Sequence, residues 1–415
     1  MQLKARFDRP LARTHSASSR YLLLEITAPD RPRRQPRQPL NLAIVLDRSG
    51  SMAGEKLALA RQAAAMLVRQ LDDADRACVI AYDDEVSRVS PSRPATPTAK
   101  AELERLIRGI QSGGSTNLSG GWLEGCREVA NHQVEARRGI DRALLLTDGL
   151  ANVGIVDQEE LCTHAGELRA RGISTSTFGI GADFNEDLLQ AMADKGGGHY
   201  FYLRGPDDLA PSFRRELGEL MEIVARDAVV EVRMAVAVEL LNDQPVERLP
   251  DGVRVPLGDL CAREQIPLAF QVTTVPAATG SEVPIHALVM YREPHLGRGR
   301  ELRFPDVALR HAADRQVDGQ KRDFEVTKQV GLLYAARAKR EAAALNREGR
   351  FDEARRLLER TAERIESYAG SDPELREAIR QLRELAPQAA LPMAAPAVKE
   401  MTYAAYLTAR NRSDY

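Results

Sequence analysis

A short loop between a predicted buried strand and a predicted helix constrains this chain more than any other feature. The apolar run 42–46 is followed by Asp47, Ser49 and Ser51 at alternate positions. The next segment, 55–71, has apolar residues at helical spacing and is predicted to form a helix. In an open parallel sheet, ligands bind beyond the carboxyl ends of the strands, which is where this loop would lie. Carboxylate and hydroxyl oxygens that converge there favour a hard cation such as Mg²⁺.

Two further segments offer oxygen ligands of the same kind. A glycine-rich turn over 113–117 precedes a predicted helix and carries the Thr116 hydroxyl, and a second apolar strand, 143–147, is followed by Asp148. Capping of the next helix would explain one such residue alone, but it gives no reason for the whole set. The sequence therefore predicts a metal site formed by Asp47, Ser49, Ser51, Thr116 and Asp148.

This set resembles the metal-ion-dependent adhesion site of von Willebrand factor A domains, in which Asp-x-Ser-x-Ser is combined with a distant threonine and a later strand-end aspartate. All five positions match, and the segments 179–181 and 196–201 also look like that family. The resemblance implies a bacterial, cytoplasmic type of this domain that holds Mg²⁺, with Mn²⁺ or Ca²⁺ as alternatives. It also implies an adaptor function, in which an aspartate or glutamate of a partner protein completes the metal shell. Bacterial relatives of this type are often coupled to AAA+ ATPases of the MoxR class.

The function implied by the resemblance is that of an adaptor, which has no enzymatic activity. Two other functions remain open. A metal-dependent hydrolase would use the ion as a Lewis acid and would need a nearby base or nucleophile. Its candidates are Asp83, Asp84 and His132, which no catalytic motif supports. A self-assembling scaffold would use the C-terminal tail, in which Asp414 and the terminal carboxylate could reach the metal site of a neighbouring protomer.

The pattern of apolar residues changes twice along the chain and predicts its organisation. Strands and helices alternate over 41–225, which predicts a doubly wound, mostly parallel α/β sheet. Short predicted strands follow, in which apolar and polar residues alternate. The early strand Tyr21 to Thr27 is expected to join them, so that the α/β domain is inserted in a small β-sandwich. The predicted parts are a β-sandwich over 1–33 and 226–312, a von Willebrand A-like metal-binding domain over 34–225, a helical hairpin or bundle over 322–387, and a linker and tail over 388–415.

The C-terminal region is predicted to form an α-helical segment followed by an extended linker. Helical patterns cover 326–348, 351–368 and 372–385, whereas alternating alanine and proline over 386–398 predicts an extended linker. The tail that follows has Tyr403 and Tyr406 at helical spacing and is expected to dock on a partner or a neighbouring protomer.

Composition excludes some partners and favours a reducing compartment. The chain has 58 Lys and Arg residues against 60 Asp and Glu, a net charge of −2, which gives no electrostatic case for nucleic acid. The four cysteines form no Cys-x-x-Cys pair, so neither a zinc site nor a disulfide framework is expected. Because the sequence also has no apolar run that could cross a bilayer, we expect a cytoplasmic protein without a membrane span.

Overall fold

The chain begins with strands that belong to a β-sandwich completed much later in the sequence. The computed structural model describes residues 1–31, 37–133, 139–148, 151–181, 184–294 and 297–411. The first strands are Gln2–Phe7 (β1), Leu11–Arg13 (β2) and Ser18–Thr27 (β3).

An α/β sheet with six strands follows. Its strands are Leu40–Asp47 (β4), Arg76–Tyr82 (β5), Val86–Pro94 (β6), Ile140–Thr147 (β7), Ile173–Ile180 (β8) and Gly197–Leu203 (β9). They are arranged in the order β6-β5-β4-β7-β8-β9, and all neighbours are parallel except β5 and β6. Every residue of β4 and β7 is buried, because helices cover both faces of the sheet.

The helices of this part form two apolar layers on the sheet. They are Glu55–Gln70 (α1), Pro97–Arg108 (α2), Leu118–Ala130 (α3), Gln158–Ala170 (α4), Glu186–Gly196 (α5) and Leu209–Met221 (α6). Apolar residues of α1, α2 and α6 share one core with the sheet, and those of α3, α4 and α5 share the other. The predicted doubly wound, mostly parallel sheet is confirmed.

The remaining strands complete the sandwich. They are Ile223–Arg233 (β10), Ala237–Leu240 (β11), Glu247–Leu249 (β12), Gly252–Cys261 (β13), Gln265–Thr274 (β14), Glu282–Arg292 (β15), Gly299–Arg303 (β16) and Val307–Ala312 (β17). One sheet has the order β1-β3-β14-β11, and the other contains β12-β13-β10-β15-β17-β2 with β16 beside β15. Because β3 pairs with β14 from Thr27–Gln265 to Ser18–Thr274, the early strand joins the sandwich and the α/β part is inserted in it, as predicted.

The C-terminal region is helical throughout the part that the structure describes. Its helices are Asp314–Asp318 (α7), Phe324–Arg347 (α8), Phe351–Ala369 (α9), Pro373–Ala389 (α10) and Ala395–Ala409 (α11). Buried residues of α8 to α11 form a core of their own, and α8 also packs against β3 and β14. Among the described residues, no helix combines the length and apolar character that crossing a membrane requires.

The extended linker predicted over 386–398 is wrong, and so is the predicted docking of the tail on another molecule. Alanine is the strongest helix former, and the Ala- and Pro-rich segment supplies the end of α10 and the start of α11. Pro396 lies in the first turn of α11, where proline is tolerated, whereas Pro387 lies inside the last turn of α10. The stripe of Tyr403, Tyr406 and Leu407 is helical, but it is buried in the same core as α3, α4 and α5. It therefore docks on its own chain, while Asp414 and the terminal carboxylate lie outside the described residues.

Candidate metal centre

The two predicted carboxylates lie at the same edge of the sheet because their strands are parallel neighbours. Leu46 of β4 is paired with Leu146 of β7, so Asp47 and Asp148 follow at the carboxyl ends of adjacent strands. A short 3₁₀ turn, Gly50–Met52, then redirects the chain toward α1. The strand ends and this turn bring four of the five predicted ligands, Asp47, Ser49, Ser51 and Asp148, to one place.

A chain of hydrogen bonds connects these four side chains. The backbone N–H of Ser49 donates to Oδ1 of Asp47 at 2.8 Å. The hydroxyl oxygens of Ser49 and Ser51 are 3.1 Å apart, and Ser51 Oγ donates to Oδ1 of Asp148 at 2.9 Å. The Asp-x-Ser-x-Ser loop and the later aspartate therefore form one polar cluster.

Thr116 is connected to this cluster through the backbone. Gly50 N–H donates to the Gly114 carbonyl and Gly113 N–H donates to the Arg48 carbonyl, both at 2.8 Å. A Cβ at Gly113 would lie 1.7 Å from Oδ2 of Asp83, so glycine here lets the turn pack closely against the Asp83 side chain. Thr116 is buried two residues beyond Gly114, and its backbone N–H donates to Asn152 Oδ1 at 2.7 Å. The structure thus joins Asp47, Ser49, Ser51 and Asp148 directly, and Thr116 through its loop.

Asp47 is held in a setting that disfavours an uncompensated charge. It is fully buried, and its Oδ2 accepts hydrogen bonds from Thr147 Oγ1 at 2.6 Å and from the Tyr82 hydroxyl at 3.4 Å. Burial raises the pKa of Asp47, the hydrogen bonds from Thr147 and Ser49 lower it, and the neighbouring charge of Asp148 raises it further. A cation at this position would stabilise the ionised form.

A lysine that the sequence analysis did not predict also belongs to the site. Lys56 Nζ lies 2.6 Å from Oδ2 of Asp148, and the lysine side chain is 25% exposed. Lys56 stands in the first turn of α1, and only its place soon after the loop motif could have suggested this role. Its ammonium group partly neutralises the carboxylate that a metal ion would use.

The donor set fits a small hard cation. Its members offer carboxylate and hydroxyl oxygens, which are the ligands that Mg²⁺, Mn²⁺ and Ca²⁺ prefer. The two carboxylates carry two negative charges, so a divalent ion would be close to neutralised. Lys56 would then add one positive charge beside it. The edge of the sheet would therefore attract a further anion.

Of the three candidate residues of the hydrolase alternative, Asp83 and His132 have structural contacts, and Asp84 is exposed. Asp83 Oδ1 accepts from Glu85 N at 2.9 Å and from Arg48 Nη2 at 3.1 Å, and its Oδ2 accepts from Gly114 N at 3.3 Å. Although burial opposes ionisation, these hydrogen bonds and the charge of Arg48 lower the pKa of Asp83. His132 Nδ1 lies 3.0 Å from the Glu128 carbonyl of its own helix.

A second group of possible metal ligands lies on β9 and α6. His199 Nδ1 is 2.9 Å from Oε2 of Glu216 and 3.1 Å from Oε2 of Glu219. However, Arg142 already pairs with Glu216 at 2.9 Å, and both of these side chains are buried. Burial opposes ionisation of Glu216, but the charge of Arg142 together with the contacts of His199 and Ser176 outweighs it and lowers the pKa of Glu216. Because Arg142 already neutralises the buried carboxylate of Glu216, the three residues fit a structural role.

The α/β part is similar to a known domain family. Residues 41–215 match the family model of the von Willebrand factor type A domain. The chain is 30% identical over 262 residues to YfbK of Escherichia coli (strain K12), a match that covers 61% of this chain and 44% of YfbK. It is 27% identical over 282 residues to sll0103 of Synechocystis, a match that covers 65% of each protein. The chain therefore spans less than two thirds of the length of both relatives.

A solved structure has the same overall fold. It is described as a von Willebrand factor type A protein from Catenulispora acidiphila, with a TM-score of 0.72 and 17% sequence identity. The match covers 100% of this chain and 97% of that one. The similarity thus includes the sandwich and the C-terminal helices as well as the α/β part.

Proposed function

Because residues 41–215 form a von Willebrand factor type A domain, we propose that this chain is a metal-dependent adaptor that binds an acidic residue of a partner protein. Domains of this family are commonly protein-interaction modules. The observation that carries the proposal is the hydrogen-bonded cluster of Asp47, Ser49, Ser51 and Asp148 at the carboxyl edge of the sheet. Such an edge is where open α/β sheets bind their ligands.

The proposed site holds Mg²⁺ through Asp47, Ser49, Ser51, Thr116 and Asp148. Mn²⁺ and Ca²⁺ have the same preference for oxygen ligands. When bound, the ion supplies positive charge and an open position for an oxygen ligand. Asp47 is oriented by Thr147 and Ser49, which fixes its carboxylate in the cluster. The ammonium group of Lys56 lies beside Asp148 and adds to the attraction for an incoming aspartate or glutamate.

We propose an interaction function rather than catalysis at this site. Asp83 and His132 are engaged in contacts that shape the loops and the end of α3. A partner that presents an exposed carboxylate fits the expected charge of the site, and components of AAA+ ATPase systems belong among the candidates to be tested. A cytoplasmic location is supported by the four free cysteines, of which Cys78 and Cys126 are buried.

A pull-down under controlled metal conditions tests this function. The tagged chain is incubated with lysate in Mg²⁺, in EDTA, and in EDTA followed by excess Mg²⁺, and bound proteins are identified by mass spectrometry. We expect a partner that is retained with Mg²⁺, lost with EDTA and regained when Mg²⁺ is restored. The variant Ser49→Ala/Ser51→Ala should lose this partner under all three conditions.

A matched variant controls for the general effect of removing two hydroxyl groups from the chain. Ser16→Ala/Ser371→Ala removes two exposed hydroxyls far from the metal centre in sequence and should retain the partner. Equal recovery of every bound protein with Mg²⁺, with EDTA and with the Ser49→Ala/Ser51→Ala variant would contradict metal-dependent binding.

A further inference from the structure

A second cleft lies between the sandwich and the C-terminal helices, and it has no part in the metal centre. Its volume is about 510 Å³, which lies in the range of about 300–1,000 Å³ that is typical of small-molecule pockets. Its lining comes from the turn after β1, from β3 and β14, from the segment just before α8, and from α8 and α9. The charged and aromatic members are Asp8, Arg9, Arg322, Arg364, Tyr21, Tyr334 and Tyr368.

The arginines of this cleft exceed its carboxylates. Asp8 is the acidic lining residue, and it is already engaged, since it accepts from Tyr21 N at 2.8 Å and from Arg9 Nε at 3.1 Å. Within the part of the chain that the structure describes, neither Arg322 nor Arg364 has a carboxylate oxygen within 4 Å of its guanidinium. Arg364 instead lies over the ring of Tyr334, 5.1 Å from its centroid.

Arg20 is not a lining residue of the cleft, since it alternates along β3 with the lining residues Ser19 and Tyr21, but its charge interacts with those of Arg9 and Arg322. Arg20 is buried, and it donates to the carbonyls of Leu11 and Ser19 at 2.7 Å rather than to a carboxylate. Burial lowers the pKa of Arg20, the charges of Arg9 and Arg322 lower it further, and the charge of Asp8 acts in the opposite direction. The positive charges are therefore close enough to repel one another, and an anion between them would relieve the repulsion.

Tyrosine hydroxyls add neutral hydrogen-bonding groups to the same space. The hydroxyls of Tyr21 and Tyr334 are 3.0 Å apart. Tyr368 lines the cleft together with Arg364 and Arg322; burial raises its pKa, while the charges of these two arginines act in the opposite direction. The two unpaired arginines thus approach the cleft from the start of α8 and from α9.

We propose that this cleft binds a small phosphate monoester, with the phosphate group held by Arg322 and Arg364. A guanidinium group presents paired N–H donors whose spacing matches two oxygens of a phosphate, and the resulting hydrogen bonds are strengthened by charge. Arg9 and Arg20 add to the positive potential. The cleft is larger than a phosphate ion alone, so the organic part of the ester fits beside the tyrosines.

Calorimetric titration of the full chain tests the assignment with phenyl phosphate and with inorganic phosphate as probes. Phenyl phosphate should bind saturably and more tightly than inorganic phosphate, because only the ester contacts the tyrosine side of the cleft. Arg322→Ala/Arg364→Ala should weaken phenyl phosphate binding by at least about tenfold, since it removes both pairs of guanidinium N–H donors. Arg322→Lys/Arg364→Lys keeps the charges but loses these paired donors, so it should have an intermediate affinity.

A charge-matched control distinguishes the cleft from nonspecific attraction. Arg105→Ala/Arg171→Ala also removes two exposed arginines, on α2 and after α4, and should bind phenyl phosphate as the unmodified chain does. The proposal is overturned if neither probe binds saturably, or if both double-alanine variants lose the same affinity. Equal affinity for the two probes would overturn the assignment to an ester. Because EDTA does not affect these contacts, the result is independent of the metal centre.

Discussion

Replacing Tyr406 by alanine should destabilise the whole chain, because α11 is docked on the α/β part. Tyr406 is 3% exposed, and its ring centroid lies 5.5 Å from that of Tyr200 and 6.2 Å from that of Tyr403. Its hydroxyl lies 3.4 Å from the backbone nitrogen of Tyr200. Truncating a buried aromatic side chain costs about 3–5 kcal/mol, so Tyr406→Ala should lower the free energy of unfolding by about that amount.

Urea denaturation followed by circular dichroism measures this difference. Phe324→Ala is the matched control, because it truncates an aromatic residue that is 44% exposed at the start of α8 and should change stability by less than about 1 kcal/mol. Limited proteolysis should also cut the Tyr406→Ala variant faster in the segment 390–394, between α10 and α11. A loss below about 1 kcal/mol with unchanged proteolysis would refute the docking of α11.

Three further changes test other parts of the structure. Burial lowers the pKa of Lys339 from 10.5 to about 8, so below pH 8 both the folded and the unfolded state carry the proton, whereas between pH 8 and pH 10.5 only the unfolded state keeps it. The free energy of unfolding should therefore rise by about 3 kcal/mol between pH 8 and pH 10.5 relative to that of Lys339→Met. Parallel pH profiles of the two proteins in urea titrations would contradict this. Lys56→Met removes the cation beside Asp148 and should tighten Mg²⁺ binding by about tenfold in calorimetry, whereas weaker binding would show that the ammonium group supports the metal. The fragment 226–312 should aggregate, since it lacks the strand β3 that pairs with β14; a soluble fragment that melts cooperatively would refute the insertion.

The α/β part could be predicted from the sequence because each of its main signals is local. A fully buried strand such as β4 is a continuous apolar run, and the polar residues that follow it mark the edge of the sheet. Strand β6 was not predicted, since it is an antiparallel edge strand with few apolar residues and with Pro91 and Pro94. The predicted boundaries between the domains remain predictions that fragments of the chain can test.

The conformation and packing of the C-terminal segment could not be predicted from the local sequence pattern alone. Alternating alanine and proline is compatible with an extended tether, but the same residues form helices when a face is buried. The apolar stripe around Tyr403 was recognised, whereas its acceptor surface is formed by Tyr200 and Tyr202, which lie some two hundred residues earlier in the sequence. Long-range contacts of this kind leave no local signal.

At the candidate site, the ligand types could be read from the sequence, and the fold adds the groups that surround them. The spacing of Asp47, Ser49 and Ser51 suggested oxygens converging on one centre, and the structure joins these residues to Asp148 by hydrogen bonds. Lys56 was missed because one lysine at the start of a helix is ordinarily a solvated residue.

Calorimetric titration of the full chain with Mg²⁺ tests the central claim most directly. Asp47→Asn keeps the size of the side chain but removes the buried charge, so the unmodified chain should bind Mg²⁺ saturably and this variant should not. Asp141→Asn is the matched control, because Asp141 is a buried carboxylate near the opposite end of β7 that accepts a hydrogen bond from Asn41 at 2.7 Å, and it should bind Mg²⁺ normally. The absence of Mg²⁺ binding by the unmodified chain, or equal affinity in the Asp47→Asn variant, would contradict the account.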